Sequence, residues 1–225
     1  MSRPTASTAD DSDHSGQRLP KTPRPRWVRS PRIERVNTPA HLILSAVILG
    51  RARRDFHWLA ITIGALLPDL PMFGFYLYQR AFAGQTEQAI WGRLYFDPAW
   101  QGLFDIFNSL PLIAIGLAIA IHRKSGPALA FFLSMTLHVA ADLPLHHDDA
   151  HAHFYPLTRW HFESPLSYWD PAHYGRIVAA IEMLGVLIGS VILIRRGGPW
   201  RRIGYGTLAL YGVVAIMAGA YWASS

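Results

Sequence analysis

The chain has 225 residues, of which 51% are hydrophobic and only 16% charged, against about 25% charged in an ordinary soluble domain. Cysteine is absent, which excludes disulfides, thiolate metal ligands and a cysteine nucleophile. The net charge of +6 is no nucleic-acid signature. Eight of the 21 Lys and Arg lie in residues 1–36 and most of the others flank apolar runs, where positive charge sets membrane orientation. The partner implied is the lipid bilayer, not nucleic acid.

Residues 1–36 are rich in Ser, Thr, Pro and Arg with no apolar periodicity, and they read as a disordered basic tail. They lack the apolar core of a secretory signal. Residues 37–225 read as a single helical membrane domain. Asn37 or Thr38 can cap a helix and Pro39 suits its first turn; HLILSAVILG then gives a short first helix, closed by RARR. Four longer runs, Phe104–Ile121, Gly126–Leu145, Tyr174–Ile194 and Ile203–Trp222, are each near the roughly 20 residues that a bilayer core requires. A fifth, Phe56–Tyr78, is interrupted by LLPDLP, and broken backbone at membrane depth is tolerated only beside protein or water. Gln79–Leu103, with Trp91, Tyr95, Phe96 and Trp100, reads as interfacial. The expected fold is all-α: a polytopic helical membrane bundle with five to six membrane helices, one broken at LLPDLP, and a short first helix.

Arg51, Arg53, Arg54, Arg123, Lys124, Arg195, Arg196, Arg201 and Arg202 fall on one side of such a bundle, and only Arg80, Arg93, Arg159 and Arg176 on the other. The basic side is expected to be cytoplasmic. The tail conflicts with that orientation. Val36 directly precedes NTPAHL and GUG, a valine codon, can start translation in bacteria, so the expectation is a start at position 36 with residues 1–35 a misassigned beginning.

The chemistry concentrates in FFLSMTLHVAADLPLHHDDAHAH, residues 131–153. His138 and Asp142 stand four apart, on one face of a helix, and six of the eight residues from His146 to His153 are His or Asp. Ionisable groups in a lipid-facing segment are costly and face a cavity or a partner. His41, Asp69, His138, Asp142, His146, His147 and His153 are the candidate metal ligands, and imidazole with carboxylate but no thiolate suits zinc, with manganese or iron as alternatives. Asp148, Asp149 and Glu182 are the candidates to orient or deprotonate a water. Each has a plainer reading: His41 as an interfacial histidine, Asp69 as a helix cap, HHDDAHAH as a solvated loop, Glu182 as a partner for Arg176. His14, His57 and His122 are expected to be inert, and Asp170 and His173 to shape the loop or close over the site.

At these residues the chain resembles the bacterial membrane-bound metal-dependent hydrolase family and, more distantly, zinc-dependent phospholipase C. The pattern is a His opening the first helix (His41), LLPD (Asp69) and HxxxD ending a helix (His138, Asp142). The resemblance implies an all-helical bundle with a metal-dependent hydrolytic site. Where that family often carries HxGxTHS, this chain has DIFNSLPL, with Asn108 and Ser109 in place of histidines. A closer resemblance, from Asn37 to about Ile194, is to uncharacterised bacterial membrane proteins with NTPAHL, HHDDAxxHFxPL and SPxSYWDPxHYG. Some of these carry a cobalamin-biosynthesis label, but such a glutaminase resembles enzymes with a cysteine nucleophile, which this chain lacks. The function expected is an ester or phosphoester hydrolase of the bacterial inner membrane, multi-pass, with a periplasm-facing metal and a small-molecule or lipid substrate. The alternative is a metal-binding transporter or sensor without turnover.

Overall fold

Thr38 and Pro39 open an apolar run, and α1 forms there over Thr38–Leu49. The computed structural model describes residues 38–50 and 57–224, with side chains through 217. The basic tail, the position-36 start and Arg51, Arg53 and Arg54 lie outside the described residues. At its far end α1 packs against Trp200, which is fully buried. A Cβ on Gly50 would meet the Ala46 carbonyl at 2.4 Å and the Trp200 ring at 2.7 Å, so only glycine fits. Arg196 donates to the carbonyls of Ala46 at 2.8 Å, Val47 at 3.1 Å and Gly50, satisfying acceptors that a helix end leaves open.

Helix α2 (Trp58–Leu66) gives way at Pro68 to α3 (Leu70–Leu77), bent by 55°. Pro71 lies in the first turn of α3 and Asp69 at its N-cap, yet the Asp69 side chain makes no capping hydrogen bond. Its carboxylate accepts instead from Thr38 Oγ1 on α1. The plain capping role fails, and the charge is turned towards the bundle. A π-helical turn (Tyr78–Phe82) and α4 (Glu87–Gly92) follow, then α5 (Pro98–Phe107), α6 (Leu110–His122), α7 (Gly126–Asp142), α8 (Gly175–Arg196) and α9 (Gly198–Ser224). The core joins α1, α2, α8 and Trp200 through Ile43, Ile61, Val186 and Leu193. A second cluster, Phe75, Ile90, Tyr95 and Phe104, binds α3 to α4 and α5.

The described residues are helical, with no strand among them. Among the described residues, two helical stretches are long and apolar enough to cross a membrane, Pro98–His122 and Gly175–Arg196, or three if the bent pair Trp58–Leu66 and Leu70–Phe82 is one span. That is fewer than the five to six expected. The expected span from Gly126 to Leu145 is a 17-residue helix, because Pro144 cannot continue it. The 12-residue α1 rises only about 18 Å. The interfacial segment expected up to Leu103 ends earlier, since Asp97 caps α5 and Pro98 starts it. The apolar exterior is a membrane protein's: on α8, Ile177, Ile181, Leu184 and Ile188 form one stripe, each more than half exposed, and soluble monomers rarely show such patches.

Candidate metal centre

Two small-residue contacts bring the site helices together. Gly64 on α2 faces α7 so closely that a Cβ would meet the Phe131 carbonyl at 2.3 Å, and Ser134 Oγ donates to the Ile61 carbonyl at 2.8 Å. One turn further along α7, His138 Nδ1 lies 2.7 Å from the Ala65 carbonyl. A carbonyl only accepts, so Nδ1 carries the proton and Nε2 of the neutral ring keeps its lone pair.

That nitrogen faces two carboxylates, one of which it shares with His41. His138 Nε2 is 3.0 Å from Asp142 Oδ2 and 3.4 Å from Asp69 Oδ1, while His41 Nε2 is 2.9 Å from Asp142 Oδ1. The His41 and His138 rings stack with centroids 3.8 Å apart. All three of His41, His138 and Asp142 are buried, with His138 fully so, and their ligand atoms lie within 4.8 Å of one another. Short as these approaches are, His138 Nε2 and Asp142 Oδ1 form no hydrogen bond of proper geometry. Buried polar atoms are ordinarily satisfied. Nitrogens and oxygens bound at about 2.0–2.2 Å around a tetrahedral zinc are roughly 3.3 Å apart, and these spacings bracket that value. The cluster can hold a metal ion.

No family model, no curated protein and no solved structure matches this chain. The reading of the site therefore rests on its own atoms.

His41, Asp69 and Asp142 line a cavity of about 240 Å³, and the fully buried His138 lies behind its surface. His146, Asp149 and His151 add to its polar lining, and Phe73, Tyr76, Trp91, Tyr95 and Phe96 give it an aromatic wall. Tyr76 donates to Glu87 Oε1 at 2.6 Å and Trp91 to Oε2 at 3.0 Å. The sequence alone placed Trp91, Tyr95 and Phe96 at an interface and Phe73 and Tyr76 in the broken span, and did not join them as a wall. The one local signal was Glu87 four before Trp91, on one face of a helix; the contact of Tyr76 with Glu87 joins α3 to α4 and no spacing encodes it. Thr38 and Asp105 were also missed; Asp105 Oδ1 accepts from Ala152 N at 2.9 Å and pins the loop.

The other expected site residues divide. His146 Nε2 lies 3.5 Å from Asp142 Oδ1 and its Nδ1 3.1 Å from Asp149 Oδ1, which joins it to the cluster. Burial opposes charge on His146, but the Asp149 and Asp142 carboxylates overcome it and hold its pKa well above 6.5. Burial likewise works to raise Asp149, and His146 outweighs it, so the carboxylate stays ionised. Asp149 Oδ2 also accepts from Trp169 Nε1 at 3.0 Å. Asp148 does not line the cavity; burial and then Asp149 push its pKa up. Glu182 sits on α8 and is also off the cavity wall. His147 turns away to Ser164 and His173.

His153 is not gathered into the cluster either. It staples the break between α5 and α6: its carbonyl accepts from Leu110 N at 2.8 Å and its Nδ1 reaches the Asn108 carbonyl at 3.3 Å. Ser109 caps α6 and donates to the Tyr155 carbonyl, and Asn108 reaches the Pro68 carbonyl at 3.5 Å. Thus the residues standing where the resembling family has histidines hold two helix breaks together. Burial, with His151 next, pushes His153 down to about 4. The unfolded chain, with an imidazole near 6.5, then takes up a proton that the folded one refuses. Stability is lost as pH falls from about 6.5 to about 4, by at most about 3 kcal/mol. Thermal melts in detergent should fall more steeply from pH 7 to pH 4.5 for the wild type than for His153→Asn; equal slopes would remove this role.

Proposed function

We propose that this chain is a membrane-embedded, metal-dependent hydrolase acting on an ester or phosphoester of an amphiphilic molecule. The observation that carries it is the convergence of His41, His138 and Asp142, two of which, His41 and Asp142, open on a cavity with an aromatic wall. A transporter or sensor needs only the ion, whereas this cavity has room for a molecule beside it. His41, His138 and Asp142 would hold the metal, zinc being the first candidate, with Asp69 and His146 at its edge. A bound divalent ion acts as a Lewis acid and lowers the pKa of a water towards about 7.

The chain's own residues supply the rest. Thr38 fixes Asp69. The Ala65 carbonyl fixes the tautomer of His138, as the outer partners of metal-binding histidines do. Asp149, ionised and lining the cavity, is the general base best placed to take a proton from an attacking water, and the protonated His146 beside it can donate one to the leaving group. The aromatic wall excludes water and receives the apolar part of the substrate, with the polar group at His41 and Asp142.

Helix directions place the site at one end of the bundle, where Thr38 meets Asp69 and α7 ends. Arg123, Lys124, Arg195, Arg196, Arg201 and Arg202 gather at the other, where α6 turns into α7 and α8 into α9. That asymmetry supports an inner-membrane protein with its site on the periplasmic side. Leu157, 79% exposed, reports the site end: Leu157→Cys should react with an impermeant thiol reagent from the periplasm, and His122→Cys should not. The reverse would invert the orientation.

The activity test uses the full chain in detergent with fluorogenic esters and phosphodiesters bearing short and long acyl chains. Turnover that requires added zinc and is lost in Asp149→Asn supports the reading. Absence of turnover across the panel, with metal bound, would favour a binding protein.

A further inference from the structure

Outside the cavity the loop after α7 builds a second histidine pair. His147 and His173 stack with ring centroids 3.7 Å apart and planes at 25°, close to the 3.8 Å and 22° of His41 on His138. The tautomers are fixed as well. His147 Nδ1 lies 2.7 Å from the Ser164 carbonyl, which can only accept. His173 Nδ1 lies 2.8 Å from Asp170 Oδ2. Each neutral ring therefore donates from Nδ1 and keeps its lone pair on Nε2. Metal-binding histidines are arranged this way, with the second nitrogen tied to a carbonyl or carboxylate that orients the ring.

The scaffold behind the pair is well tied. Ser164 N donates to the His146 carbonyl at 2.9 Å and Ser164 Oγ to the Pro144 carbonyl at 2.5 Å. Ser167 N donates to the His173 carbonyl at 2.9 Å, and Asp170 Oδ1 accepts from Ala172 N at 2.9 Å. SPLSYWDPAHYG thus folds back on HHDDA and brings together histidines 26 positions apart. Neither ring is sealed: His147 is half-buried and the His173 side chain is 32% exposed. Two stacked imidazoles whose Nδ1 atoms are both engaged keep Nε2 as the ligand atom of each neutral ring, which makes the pair more than a packing contact.

We propose that His147 and His173 form a second, solvent-reachable site for a divalent metal of the imidazole-preferring class, such as zinc, copper or nickel. It is separate from the cavity cluster and does not depend on that cluster being catalytic. Between them, the two sites divide the HHDD run, His146 and Asp149 facing inward and His147 outward.

The test is a metal count on the full chain in detergent, stripped with chelator and dialysed against Zn²⁺ alone. The wild type should bind two equivalents, and His147→Gln and His173→Gln should each bind one. Asp142→Asn should lose the other equivalent and keep this one. In Asp142→Asn loaded with Cu²⁺, electron paramagnetic resonance should show coupling to two imidazole nitrogens. If both glutamine variants retain every equivalent the wild type binds, or the copper signal lacks that coupling, the outer site is overturned. A wild type with one equivalent, lost in the glutamine variants but kept in Asp142→Asn, would uphold the outer site and overturn the inner one.

Discussion

Asp142→Asn should lower the affinity of the cavity cluster for a divalent metal at least tenfold and abolish metal-dependent turnover. The carboxylate is the hub: its two oxygens approach His41, His138 and His146 at 2.9, 3.0 and 3.5 Å. Asparagine keeps the volume but removes the charge and turns an amide donor towards an imidazole nitrogen. Loss of a partner merely behind a ligand typically costs 10–100-fold in metal affinity, so loss of a ligand charge costs no less. His138→Ala should act similarly, whereas His122→Ala, on an exposed residue at the opposite end of the bundle, should leave metal content unchanged. Metal measured by atomic emission after dialysis decides it, and equal content in all three variants would remove the cluster from consideration.

Gly64→Val should be as damaging although the residue touches no ligand. A Cβ there would meet the backbone carbonyl of Phe131 at 2.3 Å and Ser134 Cβ at 3.0 Å, and backbone cannot swing aside as a side-chain tip can. Helices α2 and α7 must separate, at a cost of about 1–3 kcal/mol for an overpacked core. The separation pulls Ala65 away from His138 Nδ1 and Asp69 away from Nε2, since both reach α7 from the α2 side. Metal affinity and melting temperature should fall together. Gly185 on α8 has nothing within 4 Å of a Cβ, so Gly185→Ala should be neutral or slightly stabilising. If Gly64→Val melts like the wild type, the α2–α7 contact is looser than described.

The site's inner members were legible because each broke a strong local pattern. His138 and Asp142 interrupt an apolar helix at a spacing of four, and Asp69 sits between prolines in another. The helical class followed from the same apolar runs. Span number did not, because composition fixes where apolar residues lie but not where hydrogen bonding stops: Pro144 cut α7 short, and Asp97 with Pro98 started α5 early. The fate of the HHDDAHAH run was equally hidden. All its histidines look alike in sequence, and only the fold-back of SPLSYWDPAHYG sends His147 to His173 and leaves His146 on Asp142. His153 is set apart by a pairing with the α5–α6 break 45 residues earlier, which no local pattern encodes.

The most direct test of the metal centre is a structure of the zinc-loaded protein with anomalous data collected at the zinc absorption edge. The arrangement described predicts a peak about 2.0–2.2 Å from Nε2 of both His41 and His138 and from an oxygen of Asp142. A zinc-loaded crystal with no anomalous peak among those three side chains would contradict it.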